Sequence, residues 1–146
     1  MPSPRELRAA IIENRAQLQA ALHSAHETWE VEPPIPSGEE ESWTPRRVVE
    51  HMVGAEWGFT NLIAQACGAP AGQSPTVEAA TPADAAASVT RIGAQVDDVL
   101  RHVSDGDLAK TWEHPRFGPQ TVAQLLETIV DHGANHVSQL LRASSA

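Results

Sequence analysis

The chain has 146 residues, with ten Lys and Arg against nineteen Asp and Glu and a net charge of −9 when the histidines are neutral. That length suits one domain, residues 1–146, with a single apolar core, and the acidic balance argues against nucleic acid or anionic membrane surfaces as partners because phosphate contacts need clustered cations. The lone Cys67 excludes an internal disulfide framework and a cysteine zinc ribbon, no apolar run approaches the roughly 20 residues of a membrane span, and residues 1–25 are charged throughout, so a reduced, cytoplasmic protein is expected.

Ser3-Pro4 opens the first predicted helix, residues 4–25, since a hydroxyl caps the orphan amides of a helix start and the fixed φ of proline suits the first helical position. Residues 26–43 hold Pro33, Pro34, Pro36, Gly38 and the run Glu39-Glu40-Glu41, which would not sustain a helix. Thr44-Pro45 starts the second helix, residues 45–67, with Trp43 just ahead of the cap and suited to a hydrophobic staple. Gly68, Pro70, Gly72 and Pro75 then keep 68–80 irregular before Thr81-Pro82 starts the third helix, residues 82–103. Asp105-Gly106, Pro115, Gly118 and Pro119 mark a turn or short hairpin within 104–120. Thr121 and Gln124 stand at capping-box spacing ahead of the fourth helix, residues 121–143. The pattern predicts an all-α four-helix bundle, and the thirteen residues from 68 to 80 are long enough to cross it and leave helices two and three parallel.

Two helices carry histidines where apolar residues belong. In the fourth, Val122, Leu125, Ile129 and Leu140 mark a core stripe, and His132 and His136 fill its gap at helical spacing. Gln139 is seven residues beyond His132 and shares its face. In the second, Val48, Ala55, Phe59, Leu62 and Ala66 define a stripe into which His51 falls, three after Val48 and four before Ala55. Buried imidazoles need partners, and three converging between helices can hold one cation. A core histidine satisfied by a carbonyl or a buried water explains any one of them alone; the trio on two stripes favours metal. Three protein ligands would leave an open position, the mark of a reactive rather than a structural site. The expected occupant is a divalent transition ion: zinc, nickel, iron or manganese.

Glu50 and Asp131 immediately precede two of these histidines, about 100° round the helix, as candidate acceptors for the outer imidazole nitrogens, although exposed charge is the commoner fate of such residues. His23, His26 and His102 lie at helix ends, where a cation complements the dipole, and His114 falls in a loop before Pro115, solvated or at a pocket mouth. Cys67 has no activating neighbour and reads as a small packing residue. Trp29, Trp57 and Trp112 read as core or pocket wall, with Trp112 near Phe117 placed for ligand contact. Gly54 and Gly58 cost about 1 kcal/mol each against alanine in a helix, which signals close helix approach or open space.

Taken together, Trp43-Thr44-Pro45 followed by Glu50-His51, the stretch Phe117-Gly118 then Thr121-Val122, and Asp131-His132 with His136 and Gln139 resemble the DinB/YfiT-like superfamily of small four-helix-bundle metalloenzymes over nearly the whole chain. The resemblance implies an up-down-down-up bundle, a homodimer, and a divalent metal held by three histidines that map onto His51, His132 and His136. Some members of that superfamily are transferases or isomerases that use bacillithiol, mycothiol or glutathione, and others are metal-dependent hydrolases. The implied function is transfer of a low-molecular-weight thiol onto a small electrophile, with a hydrolase, or a non-catalytic metal- or ligand-binding stress protein, as the alternatives.

Overall fold

In a computed structural model, which describes residues 2–33 and 42–144, each hydroxyl marked in the sequence caps a helix. Ser3 accepts from the Glu6 N–H ahead of α1 (Pro4–Leu22), Thr44 from Arg47 ahead of α2 (Pro45–Ala66), and Thr81 from Asp84 ahead of α3 (Pro82–Leu100). Thr121 and Gln124 exchange side-chain and backbone bonds of 2.9 and 3.0 Å at the start of α4 (Val122–Ser144), a complete capping box. The loop signals Pro34, Pro36, Gly38 and Glu39-Glu40-Glu41 lie outside the described residues.

Two helices stop three residues short of their predicted ends. After Leu22 and after Leu100 the backbone tightens to i→i+3 bonds, as from Ala25 N–H to Leu22 O and from Val103 N–H to Leu100 O. Ala25 and Val103 remain buried through those tighter turns, which is why the apolar periodicity outruns the helices. The end of α2 is sharper: Gly68 takes φ +98°, its N–H bonds Gln65 O, and Ala69 N–H reaches back to Ala64 O. That pairing is a Schellman motif, open to glycine because it lacks the Cβ that disfavours positive φ.

Helix α1 packs on α3 and α4, and α2 packs on the same two, so α1 and α2 face each other across the bundle. Bonds from Arg8 to the Leu100 carbonyl, from Arg15 to Asp97 and from Gln19 to the Ala86 carbonyl run α1 against α3 in opposite directions. The indole of buried Trp29 donates to Ala79 O at 3.0 Å while its own carbonyl accepts from Arg46 N–H. That latch brings the beginnings of α2 and α3 to one end of the bundle, as a long crossover between them requires.

The predicted turn region contains a hairpin, so the bundle is mostly rather than wholly helical. Strands β1 (Thr111–His114) and β2 (Gly118–Thr121) pair antiparallel from Thr111↔Thr121 to His114↔Gly118, and Gly118 closes the short loop at φ +73°. β1 lies against α2, and β2 runs directly into α4. The core is built from residues such as Leu18, Ile63, Ile92, Leu125 and Leu140. On α2 the deeply buried side chains include Val48, Val49, Met52, Val53, Thr60 and Ile63, whereas Ala55, Phe59, Leu62 and Ala66 are only half-buried. Apart from Val48, the stripe read from the sequence is therefore the flank of α2, and it faces the hairpin. No helix among the described residues is long and apolar enough to cross a membrane.

Arg15 is an exception to the apolar interior. Its side chain is 11% exposed and bonds Glu56 at 2.6 Å and Asp97 at 2.9 Å. Its aliphatic stem passes so close to Gly93 that a Cβ there would lie 2.7 Å from Arg15 Cδ. A guanidinium held at both ends cannot step aside cheaply, so Gly93→Ala is expected to destabilise the fold by about 1–3 kcal/mol, read by urea denaturation.

Candidate metal centre

His51 projects from α2 toward His132 and His136, which sit one helical turn apart on α4. His51 Nε2 lies 3.1 Å from His132 Nε2, and His136 Nε2 lies 3.0 Å from the same atom; one ligating atom from each residue falls within a group spanning 4.8 Å. Bonds of about 2.0–2.1 Å to a tetrahedral ion would set the nitrogens about 3.3 Å apart; the two separations from His132 Nε2 lie within a few tenths of an ångström of that value, and the whole group lies within 4.8 Å.

The outer hydrogen bond on His136 fixes which way its lone pair points. Gln139 Oε1 is 2.7 Å from His136 Nδ1 and can only accept, so Nδ1 carries the proton and Nε2 presents its lone pair to the cluster. Both side chains are buried. Gln139 thus contacts the cluster, while the other two candidates from the sequence do not. Glu50 faces Arg46 at 3.6 Å on the surface, and Asp131 is exposed, because each is rotated about 100° from its neighbouring histidine.

The aromatic wall was only partly foreseen. The Trp43 ring meets His51 edge-on at 5.0 Å and lies parallel to His136 at 6.3 Å, with the Arg47 guanidinium 4.4 Å above it. Its buried indole N–H makes no hydrogen bond among the described residues. Phe59 closes the other side, 6.1 Å from His132 and 5.5 Å from His114. His114 is half-buried, stacked between Phe59 and Phe117, and its Nδ1 accepts the N–H groups of Arg116 and Phe117. It lines an apolar recess of about 290 Å³ with Ala55, Gly58, Phe59, Leu62 and Pro115. A Cβ on Gly58 would meet nothing within 4 Å, so this glycine marks open space rather than close helix contact. The recess begins on Ala55, one turn beyond His51.

Other sequence candidates lie elsewhere. His23, His26 and His102 are exposed. Cys67 is also exposed rather than packed, and partial desolvation, reinforced by Asp107, pushes its thiol above the ordinary range. Glu56, which the sequence reading passed over, is largely buried, and burial raises its carboxyl against the opposing pull of Arg15. The signal was present: Met52, Glu56, Phe59 and Ile63 follow helical spacing with one charge among apolar residues.

Burial, then the proximity of His136 and His51, lowers His132 from 6.5 to about 4. The folded metal-free chain therefore keeps His132 neutral where the unfolded chain would protonate it. This contribution is fully present above pH 6.5 and lost as pH falls toward 4. Denaturation of metal-free protein across that window should show stability falling with pH, with a shallower slope in His132→Asn.

Comparisons with known proteins agree with this architecture. No curated protein sequence matches the chain. Among solved structures, the four-helix bundle protein TT2238 is similar at a TM-score of 0.68 and 22% identity, covering 93% of this chain and 96% of its own. YfiT from Bacillus subtilis, described as a probable metal-dependent hydrolase with an unusual four-helix bundle topology, is similar at 0.69 and 17% identity, covering 99% and 89%. The family profile of the DinB superfamily matches residues 34–140, a span that includes all three clustered histidines. The chain belongs to the DinB superfamily.

Proposed function

We propose that this protein is a metal-dependent enzyme in which His51, His132 and His136 hold one divalent transition ion, zinc, nickel, iron or manganese, and that it transfers a low-molecular-weight thiol onto a small electrophile. The convergence of three Nε2 atoms, with no fourth histidine, cysteine or carboxylate grouped with them among the described residues, carries the reading. Such an ion would supply Lewis acidity at an open position and lower the pKa of a thiol or water placed there.

The chain's own residues divide the remaining work. Gln139 holds His136 in the tautomer that offers Nε2 inward. Trp43 and Phe59 exclude solvent from two sides. The recess beside Phe59 accepts the apolar body of a small substrate. Transfer would release the thiol proton to solvent and form a carbon–sulfur bond at the electrophilic carbon, the displaced group leaving with its electron pair. The positions of Glu50 and Asp131, away from the cluster, favour a thiol over water, because a thiol so placed gives up its proton without a neighbouring base. Hydrolysis is the second reading, favoured by the likeness to YfiT, since the same open position would serve water. Small molecules are the proposed partners, and a second copy of the chain the proposed assembly.

Elemental analysis of the purified protein beside a folded His51→Ala/His132→Ala/His136→Ala variant tests the site. About one equivalent of transition metal in the parent and none in the variant is expected; a parent that binds none of several metals offered overturns the reading. Incubation with 1-chloro-2,4-dinitrobenzene and glutathione, cysteine or bacillithiol should yield an adduct faster with the metal-loaded parent than with the variant. Equal rates across the thiols, with ester hydrolysis retained, would select the hydrolase. Gln139→Leu should weaken zinc binding by about 10–100-fold, measured against a chelator of known affinity.

A further inference from the structure

Beside His132 lies a second polar group that the proposed chemistry does not use. A small, partly open cavity of about 10 Å³ is walled by Asn14, Arg15, Glu56 and His132, with apolar residues and Gly133 completing it. That volume is at the threshold for a single water, and its walls are polar enough to hold one. Glu56 accepts from Arg15 through Oε1, and its other oxygen makes no hydrogen bond among the described residues. Arg15 Nε is buried without a partner. His132 meets both neighbouring histidines through Nε2, and its Nδ1 bonds no described residue. One fixed donor at Arg15, one acceptor at Glu56 and His132 Nδ1, which donates in one tautomer and accepts in the other, thus belong to the walls of one water-sized space, and a water can accept twice and donate twice.

We propose that Glu56 is a positioning residue for the histidine cluster: one buried water accepts from His132 Nδ1–H and Arg15 Nε–H and donates to Glu56, holding His132 in the tautomer whose Nε2 lone pair faces His51 and His136. The inference rests on the three histidines forming a metal site, and it gives His132 the outer partner that Gln139 gives His136. A histidine ligand ordinarily donates its other N–H to a carboxylate, a carbonyl or a water, and loss of that partner costs about 10–100-fold in metal affinity. It also gives a reason for keeping an ion pair in the core, where desolvation offsets much of its attraction.

The test compares wild type, Glu56→Gln, which keeps a side-chain oxygen, and Arg15→Met/Glu56→Leu, which replaces the buried pair by apolar groups of similar size. In metal-free protein at neutral pH, nitrogen-15 spectra should show His132 protonated at Nδ1 in wild type and in Glu56→Gln, and a shift toward the Nε2-protonated form in the double variant. Zinc affinity should follow, unchanged within about threefold in Glu56→Gln and about 10–100-fold weaker in the double variant. An unchanged tautomer and unchanged zinc affinity in the double variant overturn the proposal. If wild type binds none of zinc, nickel, iron and manganese yet the tautomer shifts, the metal site fails while the bridge stands. Wild type supplies a second readout should the double variant not fold: a long-lived water must show a cross-peak to His132 Hδ1 in a rotating-frame Overhauser spectrum, and its absence overturns the bridge.

Discussion

Three imidazole nitrogens, two of them at hydrogen-bond distance from the third, cannot all satisfy one another. With the proton of His136 held at Nδ1 by Gln139, its Nε2 has only a lone pair to offer, and His132 Nε2 can carry a single proton between two neighbours. At least one contact in the cluster is therefore short of a proton unless a cation serves all three lone pairs. The surrounding structure is arranged around that requirement. Two helices of the bundle bring the nitrogens together, aromatic rings shield them, and the side chains that flank them in sequence turn outward.

The interior holds a second set of polar groups beside His132. Arg15, Glu56 and Asp97 join α1, α2 and α3, while the histidines join α2 and α4. Between them, the two polar groups touch every helix of the bundle. Neither is a cheap source of stability, since buried charge and buried imidazole both sacrifice hydration. They do set register: sliding α2 by one turn would part Glu56 from Arg15 and His51 from His132 together.

Much of this was legible from spacing. The caps at Ser3, Thr44, Thr81 and Thr121 and the inward histidines at 51, 132 and 136 all follow from local rules, namely which side chain reaches which amide and which residues share a helical face. What escaped was non-local. Spacing alone makes the α2 stripe a core face, but Phe59, Leu62 and Ala66 are only partly buried against the core on the side toward the hairpin, and the deeper packing face is rotated from them, which depends on where the other helices stand. Trp43 was accounted for by its neighbours in sequence, although its ring serves residues on a distant helix. Glu56 stood on an apolar face as plainly as His51, yet a lone carboxylate carries no chemistry until its partner on α1 is known. Helix ends were overrun because a buried Ala25 or Val103 looks the same in an α-turn and in a tighter one.

The hairpin continues into α4 through Thr121-Val122, and Val122 N–H also bonds Lys110 O at the foot of the hairpin, so His114 and two of the three clustered histidines ride on one continuous stretch of chain. The opposing elements, His51 and the floor of the recess from Ala55 to Leu62, all belong to α2. Jaw and hinge are thus shared: a change in the gap between α2 and α4 alters the bite of the nitrogens and the aperture of the recess in the same motion. A molecule wedged beneath His114 would rest on Phe59, the same ring that lies against His132.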